Sequence, residues 1–171
     1  MTSVREATLA DAEAIAVIGA RSWDDGFRGL LGEGAMPPER AWNLDAVRST
    51  IESEGPRGSD VLLAERDGAA CGFVLIGPSR DEDAPAGAGE IWALFVDPPA
   101  WRSGVGSRLV EAALAGLAGR GFTEATVWTL GESERNLAFY ERLGFALDGA
   151  TQARQALGHA REVRLRRPLD H

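Results

Sequence analysis

Lysine is missing from this 171-residue sequence, whose 18 basic residues are all arginine. A P-loop needs a lysine at the phosphates and Schiff-base catalysis needs one as nucleophile, so both classes are excluded. Cysteine occurs once, as Cys71, which rules out a disulfide within these residues and a cysteine-built zinc site. The two histidines, His159 and His171, have no metal-ligand spacing, so no metal is expected. No apolar run approaches the roughly 20 residues of a bilayer span, and Met1 to Asp11 lack a basic flank followed by an apolar stretch. The expectation is a cytoplasmic protein with no membrane partner.

What is present describes a folding chain. Hydrophobic residues make up 44% and charged residues 26%, with five Trp and six Phe, far from the composition of disordered segments. The length matches one domain spanning 1–171. The net charge of −8 argues against nucleic acid, whose affinity comes from phosphate neutralisation by basic side chains. The charge is uneven: residues 1–100 hold 18 acids against 8 Arg, and residues 101–171 hold 8 acids against 10 Arg. Such a division suits a cationic ligand on one side and a phosphate-bearing one on the other, although an acidic solvated surface explains the first half equally well.

Periodicity and turn signals give the order of elements. Ser3 to Ala7 reads as a strand, and Thr8 or Asp11 caps a helix with Ala12, Ile15, Ala16 and Ile18 on one face, weakened at Gly19. Residues 21–58 are irregular, with one helix expected from Pro38 to Glu52. Asp60 to Glu65 and Ala70 to Ile76 form a hairpin about Asp67-Gly68, a dipeptide suited to positive φ. Gly77 to Gly89 reads as a mobile loop. Glu90 to Val96 is the next strand, stopped by Asp97-Pro98-Pro99. A helix from Ser107 to Ala118 follows, then a strand from Thr123 to Thr129 and a helix capped by Ser133 that Gly144 ends. Ala146 to Ala153 and Glu162 to Arg167 pair as the last strands.

Two segments carry chemistry. The first is Trp101-Arg102-Ser103-Gly104-Val105-Gly106-Ser107, between a strand and a helix start. Glycines there let successive N–H groups share one concavity, and the helix N-terminus adds about half a positive charge, so a pyrophosphate is held without lysine. Alone, Gly104-x-Gly106 is equally a tight turn, and Leu109 stands where a dinucleotide fingerprint needs its third glycine. The second is Asn136-Leu137-Ala138-Phe139-Tyr140-Glu141-Arg142-Leu143-Gly144-Phe145. Asn136 and Tyr140, four apart, share a helix face, and Tyr140 is the single tyrosine of the chain. By itself a helical tyrosine is more often core.

In this order, the two segments resemble the signature motifs of the GNAT N-acetyltransferase family, and Gly89 to Pro98 fits the strand that precedes them. The resemblance runs from Ser3 to Leu169. It implies an α+β fold: a mixed, mostly antiparallel sheet of about seven strands flanked by about four helices, splayed between its fourth and fifth strands. It implies acetyl-CoA as cosubstrate, with the backbone of Leu94, Phe95 and Val96 pairing with the pantetheine arm. Arg102, Ser103, Gly104, Val105, Gly106 and Ser107 would hold the pyrophosphate, and Asn136 would lie beside the arm. Trp101 departs from the family pattern, which has Gln or Arg there, and one side-chain phosphate contact is lost with it.

The implied reaction is acetyl transfer to a primary amine of a small molecule or peptide. It needs proton removal from the amine, donors for the oxyanion and an acid for the leaving thiolate. Tyr140 is the candidate acid and Glu90 the candidate base, acting through water. Asp24, Asp25 and Glu33 stand in reserve as bases. Covalent transfer through Cys71 is disfavoured, because Cys71 lies in an apolar strand. Trp23, Asp24, Asp25, Phe27 and Glu33 form a candidate amine pocket, or else a solvated acidic loop around core aromatics. A non-catalytic acyl-CoA sensor is the alternative on the same fold, and homodimerisation is left open.

Overall fold

The computed structural model describes residues 1–27, 29–31, 34–36, 42–53 and 59–170. Its centre is a seven-stranded sheet made by β1 (Thr2–Glu6), β2 (Asp60–Arg66), β3 (Ala69–Pro78), β4 (Ala88–Val96), β5 (Glu124–Leu130), β6 (Ala146–Ala153) and β7 (Arg161–Pro168). The order across the sheet is β1-β2-β3-β4-β5-β7-β6, antiparallel throughout except between β4 and β5. The described helices are α1 (Ala12–Phe27), α2 (Leu44–Glu52), α3 (Val105–Gly119) and α4 (Glu134–Arg142), with short 3-10 turns at Leu9–Asp11 and Pro98–Ala100. No described helix is long and apolar enough to cross a membrane.

Both faces of the sheet are covered. Leu109, Val110, Ala113 and Leu117 of α3 pack on Val74, Ile76, Ile91, Ala125 and Val127. On the other face Ile15 and Ile18 of α1 and Val47 of α2 pack on Leu63, Phe73 and Phe95. Asp67 (φ 52°) and Gly68 (φ 78°) make the β2–β3 turn with the expected positive angles. Gly19 does not end α1. A Cβ there would lie 2.5 Å from Trp42 Cδ2, so the glycine lets the indole seat on the helix backbone, and the helix continues to Phe27. The helix expected from Pro38 begins at Leu44, where Asn43 Oδ1 accepts from Ala46 N–H at 2.9 Å; Pro38 to Ala41 lie outside the described residues.

The decisive irregularity is in β4. Leu75 pairs with Ala93 and Ile76 with Ile91, so Trp92 is an extra residue, a bulge opposite β3. Its indole covers Gly77, where a Cβ would stand 2.5 Å from Cζ2, and its Nε1 donates to Pro78 O at 3.1 Å. A bulge bends its strand and reverses which face the following side chains occupy. Pairing with β5 runs from Ala88↔Glu124 to Ile91↔Val127 and stops at this bulge, whereas β4 stays on β3 to Val96 and β5 stays on β7 to Leu130.

The β3–β4 connection is fastened to the sheet rather than loose. Arg164, 5% exposed, donates from Nη1 to Asp81 Oδ2 (2.9 Å) and Asp83 Oδ1 (2.7 Å), and from Nε to Asp148 Oδ2 (2.6 Å). Trp128 Nε1 also donates to Asp81 at 2.9 Å. A buried guanidinium must be paired, and residues distant in sequence supply the carboxylates. Arg164→Met is expected to cost on the order of 3 kcal/mol in urea unfolding, because Asp81 and Asp148 would share a site with no central cation. Asp83→Asn, at a carboxylate 67% exposed, should shift the urea midpoint far less than Arg164→Met.

Candidate active site

The separation of β4 from β5 opens a wedge, and the backbone on its β4 side has a defined direction. Asp97 N–H donates to Cys71 O on β3 at 2.9 Å. The peptide is planar, so the Val96 carbonyl points the opposite way, into the wedge. Trp101 Nε1 donates to it at 2.7 Å, and Ser22 Oγ donates to it as well. Strand alternation turns the N–H and C=O of Leu94 to the same side, where β5 has already diverged, and turns those of Phe95 back to β3. Of the three residues expected to present backbone to a ligand, Leu94 therefore turns both its N–H and C=O into the wedge, and Val96 turns its N–H there. Val96 has its carbonyl capped, and Phe95 lends the cavity its ring.

The loop before α3 has the geometry of an anion cradle. Arg102 (φ 58°) and Gly104 (φ 83°) both take left-handed backbone, and the first intrahelical bond is Arg108 N–H to Gly104 O at 3.1 Å. The N–H groups of Val105, Gly106 and Ser107 precede it and have no side-chain cap. A Cβ on Gly106 would meet Phe139 Cζ at 3.3 Å and Val96 Cγ2 at 3.7 Å, so a side chain there would narrow the wedge. At Gly104 a Cβ would meet open space, and the constraint is its positive φ. Arg102, Gly104, Gly106 and Ser107 line the cavity. Ser103 and Val105 do not: the Ser103 hydroxyl donates to Ala100 O and accepts from Arg66 Nη2 at 2.8 Å, while Val105 is core.

Trp101 also supports a cation that sequence reading missed. The Arg135 guanidinium lies 4.7 Å over the Trp101 ring and, with Arg102 and Arg142, lines the cavity. The residue that departs from the family pattern thus caps the last carbonyl of β4 and carries a cation from α4.

Asn136 and Tyr140 face the wedge from α4. Asn136 Nδ2 donates to Thr129 Oγ1 at 3.2 Å, which ties the helix to β5, and both residues line the cavity. Tyr140 is 6% exposed and edge-packed on Phe139 and Phe145. Burial alone pushes its phenol pKa far above the ordinary 10. Glu90 is 2% exposed and does not line the cavity, whose wall begins one residue later at Ile91. Its Oε2 accepts from Arg80 N–H and its Oε1 from the Arg80 guanidinium, both at 2.8 Å. Cys71, buried and with its thiol pKa raised by burial, is outside the cavity lining.

On the face of α1, Trp23 and Phe27 line the cavity and Asp24 does not, whereas Leu31, Met36 and Trp42 join them; Glu33 lies outside the described residues. Glu162 is the one carboxylate among the described lining residues. It is 5% exposed and accepts from Gln152 Nε2 and Arg154 Nε, each at 2.7 Å. Nothing local in the sequence marks it, because its role depends on the β6–β7 register that sets Gln152 opposite Glu162. The cavity, about 830 Å³, is continuous from the arginine-lined end at α3 and α4 to this end.

With Tyr140 the only tyrosine, its burial is directly measurable. Ultraviolet titration should show no tyrosinate in the native protein as pH passes 10, and a normal transition near about 10 in denaturant. Between the unfolded and folded pKa the unfolded chain has lost a proton that the folded chain keeps, so stability should fall as pH rises above about 10 and fall less in Tyr140→Phe.

The Acetyltransferase (GNAT) family model matches residues 11–145. A mycothiol acetyltransferase of Cellulomonas flavigena is 39% identical over 120 residues, covering 66% of this chain and 34% of that protein. The chain thus spans about a third of the length of that relative. Two solved structures share the fold: a PaiA N-acetyltransferase from Thermoplasma acidophilum in complex with coenzyme A (TM-score 0.76, 16% identity, 96% of this chain and 98% of that one) and a ribosomal-protein-alanine N-acetyltransferase from Brucella melitensis (TM-score 0.78, 22% identity, 98% and 99%). By its matching family model, its motifs and its splayed sheet, the chain belongs to the GNAT acetyltransferase family.

Proposed function

We propose that this protein is an acetyl-CoA-dependent N-acetyltransferase that transfers an acetyl group directly to a primary amine. The observation that carries the reading is one continuous cavity bounded by the diverging ends of β4 and β5, the N-terminal turn of α3 and the Asn136–Tyr140 face of α4. An acyl-CoA fits these residues. The N–H groups of Val105, Gly106 and Ser107, with Arg102 and Arg135 beside them, suit a pyrophosphate, and the Leu94 backbone suits an amide-bearing arm. When bound, the donor supplies a thioester and a thiolate leaving group whose pKa is about 8.5.

The residues have separable tasks. Leu94 N–H is directed where an oxyanion donor is useful. Tyr140 stays protonated at any physiological pH, and its phenol is a weaker acid than the thiol, so it serves as a hydrogen-bond donor to the departing sulfur rather than as the net source of its proton. That proton comes from the amine. Glu162 orients the ammonium group, whose first proton passes through water to Glu90, held by Arg80 just behind the cavity wall; the second N–H proton, lost after attack on the thioester, is the one the departing sulfur takes. Direct transfer accords with Cys71 lying outside the cavity lining.

Coenzyme A at about 100 times its Kd should stabilise the protein by roughly 2.7 kcal/mol, seen as a saturable rise in Tm that Gly104→Glu abolishes. Thiol release with amines then distinguishes an enzyme from a sensor that only binds the donor. Tyr140→Phe should lower kcat about 100-fold while leaving KM for acetyl-CoA within about twofold. Glu90→Gln should remove the acidic limb of the pH–rate profile, since a base must be deprotonated to act. An unchanged limb would transfer the role of base to Glu162.

A further inference from the structure

The acceptor end of the cavity has a bridged wall. The segment following α1 and the connection between β6 and β7 meet in an antiparallel bridge, Ala35↔Leu157, in which Met36 N–H donates to Ala156 O at 2.7 Å. Met36, Ala156 and Leu157 all line the cavity, so the bridge forms part of its wall. The same cavity is lined by Trp23, Phe27 and Trp42, which pack with one another and with Phe95 in edge-to-face and tilted pairs at centroid distances of 5.0 to 6.5 Å. Glu162 is the anionic group among the described lining residues. A carboxylate offers about four acceptor positions, and Gln152 and Arg154 take three through bonds of 2.7, 2.7 and 3.2 Å.

We propose that the acceptor is a small primary amine with an aromatic or branched aliphatic body, held against the Ala35–Leu157 bridge with its ammonium group at Glu162. This rests on the acetyl-transfer reading above. The aromatic set receives the apolar body, and the remaining acceptor position of Glu162 receives an ammonium proton. A peptide acceptor must leave the site as an extended chain advancing about 3.3 Å per residue. The bridge joins the two segments between which that chain would pass, and its N–H and C=O are already paired with each other. A hydrophilic amine could enter but would leave the aromatic wall without a partner.

The test is thiol release at saturating acetyl-CoA with three acceptors: phenethylamine, ethanolamine and a hexapeptide beginning with phenylalanine. Burial of an aromatic body is expected to favour phenethylamine over ethanolamine by about 30-fold in kcat/KM. The hexapeptide should fall about 100-fold below phenethylamine, because it must break the bridge. Glu162→Gln should raise KM for phenethylamine about 10-fold with no change in KM for acetyl-CoA. Met36→Pro, which deletes the bridging N–H, should raise the hexapeptide-to-phenethylamine ratio about 10-fold; the wild-type panel decides the matter even if that variant fails to fold. Equal use of ethanolamine or of the hexapeptide overturns the inference, and so does no turnover of any acceptor while coenzyme A still raises Tm. Loss of the Tm rise itself would overturn the acetyl-transfer reading along with it.

Discussion

The site depends on a broken hydrogen-bond ladder. A sheet interior normally satisfies every backbone group on both sides of a strand, and leaving such groups without partners is costly. Here the only parallel contact among the described strands, between β4 and β5, ends at Ile91↔Val127, and the bulge at Trp92 turns the rest of β4 away. The broken edge is treated differently at each position. Trp101 and Ser22 satisfy the Val96 carbonyl, and Leu94 is left facing the wedge. A ligand with amide groups would complete what the sheet lacks through backbone contacts.

Charge is distributed along the same opening. Arg102, Arg135 and Arg142 line the cavity from the loop before α3 and from α4, and Glu162, paired with Arg154, lines it from β7. The excess of arginine in the last 71 residues therefore has a structural destination, but the acidity of the first hundred has less of one. Asp24 is not in the lining, and Asp81 and Asp83 are engaged by Arg164. Much of the acidic composition serves to fasten loops and to solvate the surface, rather than to attract an amine.

Arg164 illustrates how one buried cation joins segments distant in sequence. It joins Asp81 and Asp83 of the β3–β4 connection to Asp148 of β6 and lies 5.5 Å from the Trp128 ring centroid. That connection also delivers Arg80 to Glu90. The fastening is therefore linked to the position of the candidate base, and Arg164, itself outside the cavity lining, backs Trp128, which lines it.

Local physics was sufficient for much of this. Asp67-Gly68 determined a hairpin because few other pairs adopt two positive φ angles, and the Leu109–Val110–Ala113–Leu117 pattern determined which face of α3 is buried. The glycines at 104 and 106 and the Asn136–Tyr140 spacing marked residues that the structure brings to one cavity, since both signals lie in contiguous backbone or on a single helix face. Tertiary structure alone decided the rest. Gly19 read as a helix weakness until Trp42 was found seated on it, and Trp101 read as a lost phosphate contact until it was found beneath Arg135. Glu162 and the Ala35–Leu157 bridge depend on strand register and on segments about 120 residues apart. No periodicity encodes a contact of that kind; it exists only once the sheet has brought those segments together.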